Sequence, residues 1–65
     1  MKVYLVWEET DGAGESIKAI FTDYQKAIDL YNKLVAKEKY YIVHWLQEWN
    51  TETQKSKVTE CSGEL

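Results

Sequence analysis

The longest apolar run of the chain lies between residues 40 and 49 and predicts a central β-strand. This run is rich in aromatic and β-branched side chains, contains neither Gly nor Pro, and carries two of the three tryptophans. Apolar and polar positions also alternate over residues 2 to 9 and 15 to 21, which predicts two further strands. Asp11, Gly12 and Gly14 lie between them and favour a tight hairpin. Its loop must have an odd number of residues if the larger apolar side chains of both strands are to share one face.

Residues 23 to 37 have the pattern of an amphipathic helix. Thr22 followed by Gln25 resembles a capping box with Thr22 as the N-cap, and Lys37 lies where the helix dipole favours a cation. Apolar residues recur at spacings of three and four and form one stripe: Tyr24, Ala27, Ile28, Tyr31, Leu34 and Val35. Residues 50 to 60 are polar and predict either an edge strand over 55 to 60 or a disordered tail. Residues 62 to 65 are expected to fray.

These elements predict a single α+β domain with a ββαβ or ββαββ order and one helix on one face of an antiparallel sheet. A right-handed crossover through the helix places the third strand beside the first, which gives the strand order 2-1-3, or 2-1-3-4 if the tail pairs. One face of the sheet is then covered by the helix. The other face has no element of this chain to cover it.

Strand alternation divides the side chains between these two faces. The larger set is expected to face the helix: Val3, Leu5, Trp7, Ile17, Ala19, Phe21, Tyr41, Val43 and Trp45. The set expected on the uncovered face is Tyr4, Val6, Ile20, Ile42, His44 and Leu46. That second set is too apolar for a solvent-facing surface and predicts a dimer interface or a partner-binding site. The alternative is a monomer in which rim side chains such as Lys2 and Glu48 lie over the patch.

Composition narrows the classes of function. With 65 residues and a single cysteine, the chain has no internal disulfide and must build its core from large side chains. The net charge of −3 argues against nonspecific binding to nucleic acid or to anionic membranes. No apolar run reaches the length of a membrane span, and the N-terminus enters a strand pattern instead of a signal peptide. We therefore expect a cytoplasmic protein.

Neither of the two most reactive side-chain types forms a catalytic pattern. His44 is the only histidine and has no Cys, Asp or second His at ligand spacing, which is typical of a packed or hydrogen-bonded residue. Cys61 has no partner base in its expected surroundings and predicts an inert thiol. The sequence thus predicts no catalytic residue, no metal site and no cofactor.

An acidic group, Glu8, Glu9, Asp11 and Glu15, is expected to cluster at the first hairpin. The simplest interpretation is a solvated acidic end that keeps the protein soluble. A second interpretation is that this end imitates a row of phosphates and occupies the basic groove of a nucleic-acid-handling enzyme.

Two segments, KVYLVWEE at residues 2 to 9 and IFTDYQKA at residues 20 to 27, resemble the small uncharacterised ββαβ proteins of bacteria and their phages. The resemblance extends over about residues 2 to 49 and carries no active-site residue. Phages encode many small acidic proteins that bind and inhibit host machinery, including anti-CRISPR and other anti-defence inhibitors. The resemblance therefore implies a phage-encoded inhibitor.

Two hypotheses of function follow from the sequence. The first is a non-enzymatic protein-binding module that occupies a surface of a larger host protein. The second is a housekeeping homodimer that binds a small ligand between its two sheets.

Overall fold

The computed structural model describes residues 1–63 as a four-stranded antiparallel sheet with one helix packed against it. The elements are β1 (Lys2–Thr10), β2 (Gly14–Phe21), α1 (Tyr24–Lys37), β3 (Ile42–Asn50) and β4 (Lys55–Cys61). The strand order is β2-β1-β3-β4, which confirms the predicted α+β fold with the order 2-1-3-4. The polar segment after β3 therefore pairs as an edge strand.

The β1–β2 hairpin has the odd-length loop that the sequence requires. Thr10 is paired with Gly14, which leaves a three-residue loop, and the Ala13 amide donates to the Thr10 carbonyl at 2.9 Å. Gly12 and Gly14 have φ angles of +83° and +89°, a region that residues with a Cβ rarely adopt.

A β-bulge in β2 changes which side chains share a face. Val6 is paired with Ala19 whereas Trp7 is paired with Ile17, so Lys18 is the extra residue. Ile17 and Ala19 consequently point to opposite faces of the sheet. The expectation that Ile17 lies on the same face as Ala19 and Phe21 is wrong, because simple alternation does not include an inserted residue.

The helix begins one residue later than the predicted capping box. Asp23, not Thr22, is the N-cap, and its side chain accepts a hydrogen bond from the Gln25 amide at 2.8 Å. The Gln25 side chain donates to Asp29 at 2.9 Å instead of reaching back to the cap. Asp competes well with Thr for this position because its carboxylate also interacts favourably with the helix dipole.

We expect Asp23→Ala to lower the free energy of unfolding by about 1 kcal/mol, the usual cost of removing an N-cap acceptor. Thr22→Ala is the matched control and should change stability by less than about 0.5 kcal/mol, as for an ordinary surface substitution. Urea denaturation followed by far-UV circular dichroism measures both. An equal or larger loss in Thr22→Ala would assign the cap to Thr22.

Between the helix and β3, the chain turns before the strand begins. The Ile42 amide donates to the Lys39 carbonyl, and the Asp11 amide donates to the Tyr41 carbonyl, both at 2.9 Å. These bonds place Tyr40 and Tyr41 in a turn beside the first hairpin, and Tyr40 is 99% exposed. The predicted start of the third strand at residue 40 is therefore two residues too early.

The core lies between the helix and the sheet face that carries Val6 and Leu46. Both of these side chains are fully buried, and they pack with the buried helix residues Ala27 and Tyr31. Partly buried residues complete the cluster: Tyr4, Phe21, Ile28, Leu30, Leu34 and Val35. The predicted helix stripe is confirmed. The predicted assignment of faces is inverted along β1 and β3, whereas Ala19 and Phe21 of β2 lie on the helix side as expected.

The inversion has a steric cause. Fully buried Ala27 brings the helix backbone close to the sheet, and the space beneath it accommodates aliphatic side chains such as Val6 and Leu46. Trp7 and Trp45, which were expected here, would overfill that space. They lie on the opposite face of the sheet. The prediction placed the largest side chains in the core. The space beneath the helix instead determines which side chains are buried there.

The end of the chain packs against β3 as far as the structure describes it. The Ser62 amide donates to the His44 carbonyl at 2.9 Å, and a Cβ on Gly63 would lie 3.1 Å from a methyl group of Val43. The expectation that Ser62 and Gly63 fray is therefore wrong. Glu64 and Leu65, which were also expected to fray, lie outside the described residues.

Candidate functional site

The sheet face opposite the helix has no element over it within residues 1–63 and is the candidate site. We call it the open face. Register and alternation assign its apolar or uncharged members: Val3, Leu5, Trp7, Ile17, Ile20, Val43, Trp45, Gln47, Trp49, Ser56, Val58 and Cys61.

Three tryptophans form the centre of the open face. Trp7 and Trp45 are directly paired across β1 and β3, and their rings stack with centroids 5.6 Å apart and an interplanar angle of 10°. The Trp7 indole nitrogen donates to the Gln47 side-chain oxygen at 2.9 Å, which satisfies its polar atom and fixes the ring. Trp49 lies on the same face of β3, four residues after Trp45. The open face thus carries a stacked indole pair with a third tryptophan on the same strand.

The rim of the open face is more accessible than its centre. Ile17 and Ile20 on one edge strand are 43% and 60% exposed, and Val58 on the other edge strand is 56% exposed. Exposed aliphatic side chains on both edges extend the apolar surface across all four strands. A contiguous apolar surface of this kind is unusual on a protein that acts alone.

The charged side chains of the open face lie at its hairpin end. Glu9 and Glu15 are paired at the hairpin end of the sheet, next to Asp11 in the loop. At the far end, Lys2 and Lys57 both contact Glu48, at 3.7 Å and 3.8 Å, from the helix side of the sheet. By register, Lys2, Lys55 and Lys57 all lie on the helix side of the sheet. The open face therefore carries carboxylates at its hairpin end, whereas the lysines of the far end lie on the other side of the sheet.

Most of the side chains expected on a partner-binding face lie elsewhere. Val6, Leu46 and His44 are buried beneath the helix, and the Tyr4 ring contacts Tyr24 of the helix edge-to-face with centroids 5.4 Å apart. Ile42 shares their side of β3 by alternation. Of that predicted set, only Ile20 lies on the open face, where the bulge directs it.

His44 is the centre of a second polar group, the histidine–carboxylate cluster, which comprises Glu8, Glu38, His44 and Ser62. His44 is 2% exposed; its Nδ1 lies 2.8 Å from Glu38 Oε2 and its Nε2 lies 3.0 Å from Glu8 Oε2. Ser62 Oγ donates to the same Glu38 oxygen at 2.8 Å. Each ring nitrogen of His44 therefore has a carboxylate oxygen within hydrogen-bond distance.

These contacts lower the pKa of Glu8. Burial raises the pKa of Glu8, but hydrogen bonds from His44 and Lys18 outweigh burial, so its pKa lies below the ordinary value of 4.5. Lys18 Nζ lies 3.3 Å from the second Glu8 oxygen. The Glu8 carboxylate therefore pairs with the Lys18 ammonium and lies within hydrogen-bond distance of the His44 ring.

The cluster has the composition of an acid–base site but not its access. Ser62 Oγ donates to Glu38 and not to the imidazole, and the His44 ring is enclosed beneath the helix. A nucleophile needs its base within hydrogen-bond reach, and a substrate needs an open path to both. The cluster instead links β1, β3, the end of the helix and the last described residues. Its role in this arrangement is structural.

The predicted acidic surface is divided by the structure. Glu9, Asp11 and Glu15 are exposed at the hairpin end, as expected. Glu8 points to the helix side of the sheet, where it is half-buried and belongs to the histidine–carboxylate cluster. A continuous row of four carboxylates is therefore not present.

Other features of the described residues bear on ligand binding. A shallow groove at the hairpin end is lined by Glu9, Asp11, Tyr40, Tyr41 and Val43. Within residues 1–63, no group of three or more His, Cys, Asp or Glu side chains is placed to hold a metal ion. The single helix is too short and too polar to cross a membrane.

The three tryptophans of the open face were not predicted as a site. Both side-chain sets of β1 and β3 are apolar, so neither local pattern nor size separates the covered face from the open one. One usable signal was that Glu8 shares a face with Val6 and that His44 shares a face with Leu46. An acid and a base therefore lie on the same face of the sheet. The chain matches no protein-family model, and it has no significant match among curated proteins or solved structures.

Proposed function

We propose that this protein is a non-enzymatic protein-binding module that docks through its open face. The observation that carries the proposal is the placement of Trp7, Trp45 and Trp49 on the sheet face that no described element covers. Tryptophan is among the residues that contribute most to binding energy at protein interfaces, above all at their centres. A flat aromatic centre with an aliphatic rim has the anatomy of such an interface.

The shape and charge of the open face support a protein as the ligand. Small molecules bind in concave pockets that enclose most of their surface, whereas this face is a sheet surface. Nucleic acid requires cations along the phosphate path, and the open face carries carboxylates at one end and no lysine among its members. An apolar protein surface satisfies both conditions.

Docking of this kind can inhibit a larger protein by covering a surface that it needs. The resemblance to small phage proteins favours this use, with a host defence protein, including a CRISPR component, as the target. The same proposal places the protein in the cytoplasm, where such targets act.

The test is capture of a partner from bacterial lysate by the protein immobilised through its N-terminus, with face-specific variants. Ile20→Lys places a charge on the open face at a side chain that is 60% exposed, so the chain can fold while docking would bury the ammonium. Tyr40→Lys introduces the same charge at a 99% exposed turn residue outside the open face. We expect the wild type and Tyr40→Lys to retain one protein in a fixed ratio and Ile20→Lys to lose it by at least about tenfold.

Two outcomes oppose the proposal. Recovery of no partner by the wild type at low salt argues against a protein-binding module. Equal retention by Ile20→Lys and Tyr40→Lys argues against the open face as the docking surface. Circular dichroism of each variant shows beforehand that the fold is intact.

A further inference from the structure

We infer that the partner of the open face presents a basic side chain beside its apolar contact surface, and that this side chain enters the groove at the hairpin end. The inference rests on the proposed function and states the chemistry of the ligand that the same face binds. It depends on the sign of the charges on the open face, on the lining of the groove, and on the continuity between the groove and the tryptophans.

The only charged side chains that register assigns to the open face are carboxylates. Glu9 and Glu15 are directly paired across β1 and β2, and like charges in opposed positions destabilise a sheet. Neither they nor the adjacent Asp11 forms an ion pair within residues 1–63, whereas Lys18 pairs with Glu8 on the helix side. When docking covers these carboxylates they lose water, so a cation from the partner has to pair with them.

The groove at the hairpin end has the side chains that bind an organic cation. It is lined by Glu9, Asp11, Tyr40, Tyr41 and Val43, and its volume is about 310 Å³. Carboxylates and an aromatic ring together attract an ammonium or guanidinium group. This volume is near the lower end of the range of about 300 to 1,000 Å³ for small-ligand sites, so it accommodates one side chain better than a whole ligand.

Tyr41 forms the inner aromatic wall of this groove. Its carbonyl accepts a hydrogen bond from the Asp11 amide at 2.9 Å, which fixes the wall beside the carboxylates. The Tyr40 ring contacts the Tyr41 ring edge-to-face with centroids 5.3 Å apart. Tyr40 itself is 99% exposed and lies at the outer edge, so a lysine in its place keeps the ammonium in water and leaves docking intact.

The groove is continuous with the tryptophan surface. Glu9 and Val43 line the groove and are also directly paired on the open face. Trp7 and Trp45 form the next pair on that face, two residues along each strand and therefore about 7 Å away. An extended partner segment covers this distance with residues i and i+2, whose side chains lie on the same face. Its basic residue is thus expected two positions from an apolar residue that contacts the indoles.

Selection from a library of random displayed peptides tests the inference with a defined probe. We expect peptides retained by the wild type to be enriched in Arg or Lys two positions from an aromatic or large aliphatic residue. Glu9→Gln/Asp11→Asn should abolish the enrichment in basic residues. The matched control is Asp29→Asn/Glu60→Gln, which makes the same change of charge at exposed positions on the helix and on the helix side of β4, and it should retain the same peptides as the wild type.

The most strongly retained peptide is then synthesised with either arginine or citrulline at its basic position, because citrulline has a similar shape but no charge. Tryptophan fluorescence gives Kd for each peptide. Citrulline should weaken binding to the wild type at least about fivefold and should change binding to Glu9→Gln/Asp11→Asn much less. Equal weakening with both proteins would overturn the inference, since the cation would then not be bound by these carboxylates.

Ile20→Glu separates failure of this inference from failure of the proposed function. A carboxylate at this 60% exposed position attracts a basic peptide but opposes apolar docking on the open face. Peptides without a preference for basic residues that Ile20→Glu no longer binds would disprove the cation and leave the docking face in place. Basic peptides that Ile20→Glu binds as well as the wild type would disprove the link between groove and open face. A selection that retains no peptide opposes both proposals.

Discussion

Leu46→Ala should unfold a large part of the protein, with a loss of about 2 to 5 kcal/mol in the free energy of unfolding. Leu46 is fully buried beneath the helix with Val6 and Tyr31, and truncation leaves a cavity in a cluster of few residues. At roughly 0.05 to 0.15 kcal/mol per residue, the whole chain has about 3 to 10 kcal/mol of stability, so the loss is a major fraction of it. Urea denaturation in dilute solution, followed by far-UV circular dichroism, measures the change.

Ile20→Ala is the matched control because it removes a similar aliphatic side chain from the other face. Ile20 is 60% exposed, so its truncation removes little buried surface and should cost less than about 1 kcal/mol. If Ile20→Ala destabilised the protein as much as Leu46→Ala, the helix would not be covering the face that carries Leu46. The contrast thus tests the corrected assignment of the two faces without reference to any partner.

The architecture was predictable from sequence because each element has its own local signal. The apolar stripe of the helix has the correct period, and Gly12 and Gly14 permit the positive φ angles of the hairpin. The crossover rule then leaves few strand orders, and the structure has the one expected when the tail pairs.

The face assignment was not predictable in the same way, because it depends on contacts between elements that are distant in sequence. Val6 and Trp7 are both suitable core residues by type, and only the close approach of the helix at Ala27 decides between them. The bulge at Lys18 also places Ile17 on the face opposite Ala19, and no local sequence pattern predicts this. Strand alternation therefore gives two sets of side chains correctly along β1 and β3 but does not identify which set the helix covers.

The carboxylate contacts of His44 were missed for a related reason. Metal and catalytic patterns are recognised at short sequence spacing, whereas Glu8 is 36 residues from His44. Their pairing follows from the register between β1 and β3, in which Glu8 is directly opposite His44. Once a register is proposed, an acid and a base at opposed positions of an apolar face indicate a buried pair and mark that face as the covered one.

His44→Ala should lower the free energy of unfolding by about 1 to 3 kcal/mol at pH 7, the usual cost of leaving hydrogen-bonding groups without their partner. The imidazole contacts one oxygen of Glu8 and one of Glu38, and its removal leaves these half-buried carboxylates without their common donor. Adding Glu38→Gln to His44→Ala removes one of the two charges and should recover part of the loss. A double variant that is no more stable than His44→Ala would contradict an electrostatic origin and indicate loss of packing alone.

The same variant should also respond differently to acid. The pKa of Glu8 lies below 4.5: burial raises it, but the hydrogen bonds from His44 and Lys18 lower it by more. A carboxylate with a lowered pKa in the folded state stabilises the protein fully above pH 4.5, and this contribution is lost as the pH falls through the folded-state pKa. His44→Ala lacks one of the lowering contacts and has less of this contribution to lose. Urea denaturation over a pH series should therefore show that the difference in free energy of unfolding between wild type and variant becomes smaller below pH 4.5. A difference that stays constant would mean that His44 does not lower the pKa of Glu8 in the folded protein.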